Sequence, residues 1–171
     1  MFTMRRHRKK SVRAAADRVD AALDTVALPD PWQIGDYVDA VAAQRGRPIM
    51  LHAMPLRAST GLCGLWLALP DRDVIVHETS TVDEHQEVII CHELAHMLLE
   101  HTSDTSLTAA ELAHQVTGVD MEVVRARGHS NFDRIEELEA ELFARKLIAR
   151  VRDTHDGAPR EGKIRRILDS F

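Results

Sequence analysis

The chain has 171 residues, of which 44% are hydrophobic and 29% are charged, so its composition is that of a globular domain and excludes wholesale disorder. The formal net charge of −5 argues against a general nucleic-acid binder. Ten histidines are many for this length and are the first sign of a chemical site.

The first thirteen residues are rich in arginine and lysine and resemble the basic start of a signal peptide. No apolar run follows them, because Asp17, Arg18, Asp20 and Asp24 interrupt residues 14–28. No apolar run in the sequence approaches the ~20 residues that a membrane span requires. Two cysteines are too few for a disulfide framework. We therefore expect a reduced, cytoplasmic protein without a membrane anchor.

The hydrophobic pattern predicts helices at both ends of the chain and short strands between them. Helical spacing over Ser11–Val26 predicts a first helix. Asp30 and Pro31 are expected to cap and open a second helix that runs to Gly46. A turn at residues 70–72 is expected to join the last two strands into a hairpin. The three predicted strands are Pro48–Ala53, Leu62–Leu69 and Asp73–His77.

The second half of the chain is predicted to be helical. Thr81 and Glu84 have the spacing of a capping box that would open a helix over Val82–His101. This helix is apolar on almost every side, which is typical of a helix at the centre of a domain. After a polar loop and one or two short helices, Asn131 is expected to cap a long helix over Phe132–Val151.

These elements predict an α+β fold. A small antiparallel sheet of about three strands is expected to pack against the central helix, with the other helices around it. Residues 1–46 are expected to form an N-terminal helical segment of the same domain, residues 47–151 its core, and residues 152–171 a charged C-terminal tail.

The central helix contains a His-Glu-x-x-His motif that runs from His92 to His96. Residues i and i+4 share one face of a helix, so both imidazoles can point at one ion. Zinc accepts histidine nitrogens at about 2.0–2.1 Å in a tetrahedral arrangement. Glu93 lies on the adjoining edge of that face, where it can act as a general base toward a metal-bound water. The motif therefore predicts a metal site.

A hydrolytic zinc site needs a third protein ligand, and the later acidic helix offers one. Glu137 and Glu141 lie on one stripe of this helix, beside the small residues Ala140 and Ala144, which allow close approach of another helix. Glu137 is the predicted ligand, and Glu141 is expected to accept a hydrogen bond from a ligand imidazole. The alternative is a solvated acidic face with ion pairs such as Glu141–Arg145.

Three further residues near these motifs have weaker assignments. His101 lies five residues after His96 and is a possible further ligand, although it is expected to end the central helix instead. Glu136 and Glu139 are expected to be either solvent-facing or structural.

Together the two motifs resemble the ImmA/IrrE family of zinc metallopeptidases. That family follows its His-Glu-x-x-His helix with Glu-x-Glu-Ala-(Asn/Asp)-x-Phe-Ala, and residues 137–144 match this pattern except at Glu141. The resemblance covers roughly residues 48–150, and it departs again at residues 146–150, where the family has Leu-Leu-Met-Pro. It implies a zincin-like fold, Glu93 as the catalytic base, and three zinc ligands, which are His92, His96 and Glu137.

The resemblance also implies a function. Such proteins cut a helix-turn-helix transcriptional regulator, so we expect a protein substrate of this kind and no direct contact with nucleic acid. The alternative is a non-catalytic, zinc-stabilised binding or sensing module that acts through protein contact, as in a toxin–antitoxin pair. Peptide deformylases also pair His-Glu-x-x-His with an upstream cysteine, but the residues around Cys63 are not similar to their motif.

Overall fold

The computed structural model describes residues 2–56, 61–102, 111, 114, 115, 118, 120, 128, 129 and 132–156. Helices surround a small sheet, which confirms the predicted α+β class. The elements in chain order are α1 (Phe2–Leu23), α2 (Ile34–Arg45), β1 (Ile49–Met54), β2 (Gly64–Ala68), β3 (Asp73–Glu78), α3 (Asp83–Leu98), β4 (Gly128–His129) and α4 (Arg134–Asp156). The predicted cap Asn131, most of the predicted connection over 102–131, and residues 157–171 lie outside the described residues.

The sheet is mixed, so the prediction of an antiparallel sheet is wrong. β3 lies between β1 and β2; it pairs with β1 in parallel and with β2 in the predicted antiparallel hairpin. β4 pairs with β2 opposite Trp66 and Leu67. The physical reason lies in burial: every residue of β3 is buried, whereas β1 is partly exposed. The fully buried strand therefore takes a central position and β1 takes an edge.

The helix α3 lies at the centre of the molecule, as its sequence predicts. Its buried side chains Ile90, Leu94 and Met97 belong to one core cluster that also includes residues of α1, α2, β2, β3 and α4. Ala140 and Ala144 of α4 are buried in the same cluster, which fits their predicted role in close helix packing. The N-terminal helices thus share one core with the sheet and with α3.

The first two helices begin elsewhere than predicted. α1 begins at Phe2, nine residues before the predicted start at Ser11. α2 begins at Ile34 with Gln33 at its N-cap, so Asp30 does not cap it. Trp32 accounts for the later start, because it packs against the core and its indole N–H donates to the carboxylate of Glu87 at 3.2 Å. These contacts hold the segment before Ile34 in a non-helical conformation.

The helix α3 begins at Asp83 with Val82 at its N-cap and no side-chain cap. The predicted capping box of Thr81 and Glu84 is therefore not formed. The helix ends at Leu98, and Glu100 takes a left-handed conformation with φ of 57°. This turn ends the helix before the predicted boundary at His101.

Asp133 caps α4 in a way that sequence analysis missed. Its Oδ1 accepts hydrogen bonds from the backbone N–H of Ile135 at 2.7 Å and of Glu136 at 2.9 Å. In return, the Glu136 carboxylate accepts the backbone N–H of Asp133 at 3.1 Å. This is a reciprocal capping box. The bonds from the N–H groups of Glu136 and Ile135 hold the pKa of the Asp133 carboxyl below its usual range.

The helix α4 is longer than predicted and continues to Asp156. It therefore includes the first residues of the segment that was expected to be a charged tail. Although α1 has 22 residues and α4 has 23, no helix in the described part of the chain is both long enough and apolar enough to cross a membrane.

Candidate metal centre

The structure brings together the three residues that were predicted as metal ligands. His92 Nε2 lies 3.0 Å from His96 Nε2, and Glu137 oxygens lie 3.5 Å from the first and 3.9 Å from the second of these atoms. Two ligand atoms bound to a tetrahedral zinc ion lie about 3.3–3.4 Å apart, given bonds of about 2.0–2.1 Å. The observed separations lie on both sides of this value. The three side chains could therefore hold a metal ion.

Two helices create this convergence. His92 and His96 lie one turn apart on α3, and Glu137 lies in the first turn of α4, which the Asp133 cap holds in place. Ala140 follows Glu137 after three residues and is buried against the core, so this face of α4 packs closely. The third ligand thus depends on helix packing, whereas the first two depend on helix periodicity alone.

The site is open on one side. The side chain of His96 is fully buried, whereas that of Glu137 is 49% exposed. A cavity of about 600 Å³ borders all three ligands. Its other walls come from residues 61–64 before and at the start of β2, from α3 and from the start of α4. An open metal site of this kind is typical of catalytic zinc rather than of structural zinc.

Glu93 is buried at the edge of the same cavity. Burial raises the pKa of its carboxyl to about 7, the nearby His92 opposes this, and the charge of Glu137 adds to it. Gly64 lies against it: a Cβ at that position would lie 2.9 Å from the carboxyl carbon of Glu93. The chain therefore keeps a carboxylate next to the predicted ligands, and a glycine makes room for it.

The ligands lie in acidic surroundings. Burial alone lowers the pKa of His92, but the hydrogen bond to Glu137 and the charges of Glu93, Glu137 and Glu141 outweigh it, so the pKa is raised overall. A site in which three carboxylates favour a positive imidazole also favours a bound cation.

His96 is held by His101, which sequence analysis named only as a possible further ligand, and through it by residues that sequence analysis did not assign to the site. Its Nδ1 lies 2.9 Å from His101 Nδ1, and His101 Nε2 lies 2.8 Å from Glu139 Oε2. The Arg18 guanidinium of α1 donates to both oxygens of Glu139, at 3.1 and 2.9 Å. We refer to His96, His101, Glu139 and Arg18 as the His96 network. Of the two alternatives for Glu139, solvent-facing or structural, the structure shows the structural one.

The left-handed residue Glu100 explains how His101 reaches His96. It turns the chain back after α3, so that the backbone N–H of His101 donates to the carbonyl of His96 at 2.9 Å. His101 is buried and hydrogen-bonds to His96, and it is not one of the three residues that could hold a metal ion. The ring of Phe132 stacks on the His96 imidazole, with centroids 3.4 Å apart and planes 11° apart. The sequence contained two signals of this network, which are the spacing from His96 to His101 and the Glu-x-Glu pattern.

Glu141 lies at the cavity, but its ion pair is with Arg145. This is the pair that the alternative of a solvated acidic face named. The Nδ1 of His96 meets His101 instead of Glu141. A hydrogen bond from Glu141 to a ligand imidazole stays a prediction. Cys63 lines the cavity as a free thiol and is not part of the ligand group.

No protein-family model matches this chain, and no curated protein or solved structure does so either. The resemblance to the ImmA/IrrE family therefore depends on the two sequence motifs. What the geometry defines is a class of site, in which two histidines and one glutamate could hold a metal ion beside a buried carboxylate.

Proposed function

We propose that the protein is a zinc-dependent metallopeptidase with a zincin-like core. The observation that carries this proposal is the convergence of His92, His96 and Glu137, with atoms 3.0–3.9 Å apart, at an open cavity beside Glu93. Two imidazole nitrogens and one carboxylate are the ligand set of a large class of catalytic zinc sites. The sequence motifs agree with this assignment.

The ligands and the cavity have separate roles in this proposal. Zn²⁺, when bound, supplies a Lewis acid that polarises a peptide carbonyl and lowers the pKa of water toward about 7. His92, His96 and Glu137 hold the ion, and the exposed side of Glu137 leaves space for a substrate. The apolar cavity residues Leu62, Val88 and Ile89 can contact side chains of a peptide and exclude bulk water.

Glu93 is the general base of the proposed reaction. Its carboxylate takes a proton from the attacking water and delivers it to the amine that leaves when the peptide bond breaks. The absence of a side chain at Gly64 leaves the space that Glu93 occupies. The proposed substrate, a helix-turn-helix transcriptional regulator, follows from the resemblance of the motifs alone.

Metal content tests the site first. We expect about one zinc per chain in the purified wild type and a large loss in Glu137→Ala. Glu84→Ala is the control, because it removes an exposed carboxylate of α3 that does not line the cavity. Zinc retained in Glu137→Ala would show that another residue is the third ligand and would contradict the proposed site.

Activity is then measured on a peptide library that covers helix-turn-helix regulator sequences, with cleavage sites read by mass spectrometry. Cleavage by the zinc-loaded wild type supports the peptidase. A protein that binds zinc but cuts no peptide or intact regulator would favour the alternative, a zinc-stabilised binding or sensing module.

A further inference from the structure

The hydrogen bonds that start at His96 form a chain in which every donor points away from the metal site. The Nε2 of His96 faces His92 and Glu137, so this nitrogen is the one available to a metal. A histidine that binds metal through Nε2 carries its hydrogen on Nδ1. The partner of that N–H is His101 Nδ1 at 2.9 Å, which must then accept.

The same reasoning fixes the next link. A His101 ring that accepts at Nδ1 carries its hydrogen on Nε2, and this N–H points to Glu139 Oε2 at 2.8 Å. A carboxylate only accepts, so Glu139 ends the chain with the correct polarity. Every N–H donor along the hydrogen-bonded chain from His96 through His101 to Glu139 therefore meets an acceptor.

Glu139 is itself held by Arg18 of α1. Its side chain is only 2% exposed, and a buried carboxylate without a partner is costly. Arg18 of α1 binds both of its oxygens and also donates to the carbonyl of Leu99, at the C-terminal end of α3, at 3.0 Å. The His96 network therefore joins α1, α3 and α4 at one point.

We propose that His101 and Glu139, anchored by Arg18, are positioning residues that fix the tautomer and the ring orientation of His96 as a zinc ligand. This inference rests on the proposed zinc site, although it does not depend on peptidase activity. Phe132 completes the arrangement, because its stacked ring restricts the His96 plane from one face. Partners of this kind raise metal affinity by holding the ligand ready before the ion arrives.

The test compares zinc affinity in three variants with that of the wild type, by competition with a chromophoric chelator at one fixed pH. His101→Phe removes the acceptor for the His96 N–H and is expected to weaken zinc binding about 10- to 100-fold. His101→Asn offers an amide oxygen near the lost nitrogen and is expected to recover most of that affinity. Glu139→Gln removes the charge at the end of the chain and is expected to give a smaller loss.

Asp20→Asn is the matched control. Asp20 forms an ion pair with Lys146, which also joins α1 to α4 but lies outside the His96 network. We expect its zinc affinity to stay within about twofold of the wild type, since a partner outside the network does not orient a ligand. If Asp20→Asn lost as much zinc affinity as His101→Phe, the effect would be one of general helix packing, and the proposal would be overturned.

A spectroscopic measurement on the metal-free protein gives a second readout. Long-range ¹H–¹⁵N spectra of the imidazoles should show hydrogen on Nδ1 of His96 and on Nε2 of His101 in the wild type. In His101→Phe the His96 tautomer should become mixed. The opposite tautomer in the wild type, or an unchanged spectrum and zinc affinity in His101→Phe, would overturn the proposal.

The outcomes separate the two proposals. A wild type that binds no zinc would remove both of them. Normal zinc binding in His101→Phe and Glu139→Gln would overturn the positioning role and leave the zinc site intact. Weakened binding in these variants, together with a lack of peptide cleavage, would support the positioning role while the peptidase proposal fails.

Discussion

The carboxylate of Glu93 lies against the Cα of Gly64, so closely that any side chain at position 64 would collide with it. Gly64 is the first residue of β2, and Glu93 lies on α3, so the carboxylate fills space between the sheet and the helix at the edge of the cavity. In the proposed reaction, the glycine therefore determines where the general base can lie.

We expect Gly64→Ala to move Glu93 while leaving the zinc ligands in place. The inserted methyl group costs about 1–3 kcal/mol of stability, as overpacking does. A shift of about 1 Å in a catalytic group lowers kcat by up to about 100-fold. Zinc content and kcat are the two measurements.

Gly35→Ala makes the same chemical change on α2, where a Cβ would meet nothing within 4 Å. It should leave both zinc content and kcat unchanged. Full activity in Gly64→Ala would show that Glu93 tolerates displacement and would argue against its role as the base.

Glu93→Gln tests that role directly. The substitution keeps the shape of the side chain and removes its capacity to take a proton, so zinc content should stay at the wild-type level. Peptide cleavage should fall by about 100-fold to 10,000-fold, the usual contribution of a general base. Retained cleavage at wild-type rate would remove Glu93 from the mechanism.

The burial of Glu93 also predicts how the stability of the metal-free protein depends on pH. Its folded-state pKa is about 7, above the ordinary value of 4.5, so the folded state favours the protonated carboxyl. The resulting stability is fully present below about pH 4.5 and is lost as the pH rises through 7. The loss amounts to about 3 kcal/mol, from 1.36 kcal/mol per pKa unit.

We therefore expect Glu93→Gln to be more stable than the wild type at pH 8, with the two proteins closer together at pH 5. Denaturant unfolding with a chelator present, at both values of pH, measures the difference. An equal stability difference at pH 5 and at pH 8 would contradict the raised pKa.

The cap at Asp133 predicts the opposite dependence on pH. Its folded-state pKa is lowered, so its contribution is present above the ordinary pKa of about 3.9 and is lost as the pH falls through the folded-state value. Asp133→Ala should lower the melting temperature at pH 7 and also weaken zinc binding, because Glu137 lies in the turn that this cap holds.

Asp133→Asn is the informative comparison. Asparagine is also a good N-cap residue, so most of the stability at neutral pH should remain without the acid-dependent loss. A melting temperature in Asp133→Ala equal to that of the wild type would show that packing alone holds the start of α4.

The sequence predicted the parts of the site that follow from periodicity. His92 and His96 share a face because they lie four residues apart on one helix. The three strand positions followed from short apolar runs between turn residues. Each of these features depends on neighbours within a few positions.

The remaining features depend on contacts that no local pattern contains. The position of His101 follows from a left-handed turn at Glu100, and the burial of Glu139 requires Arg18 from the other end of the chain. The parallel pairing of β1 with β3 joins segments that are not neighbours along the chain. The space at Gly64 becomes evident only when α3 packs on the sheet.

The parallel pairing of β1 with β3 has a consequence for the order of folding. The β2–β3 hairpin closes a short turn, whereas pairing Ile49 with Asp73 must first close a longer loop, and loop closure opposes folding with its entropy. The bond from Arg18 to Glu139 joins residues that are 121 positions apart, so it closes a far longer loop than either strand pairing does. Because nonlocal contacts slow folding, we expect the hairpin and α3 to form early and the environment of His96 to mature last. During biosynthesis, Glu137 and Glu139 can meet the two histidines and His101 only after α4 has left the ribosome.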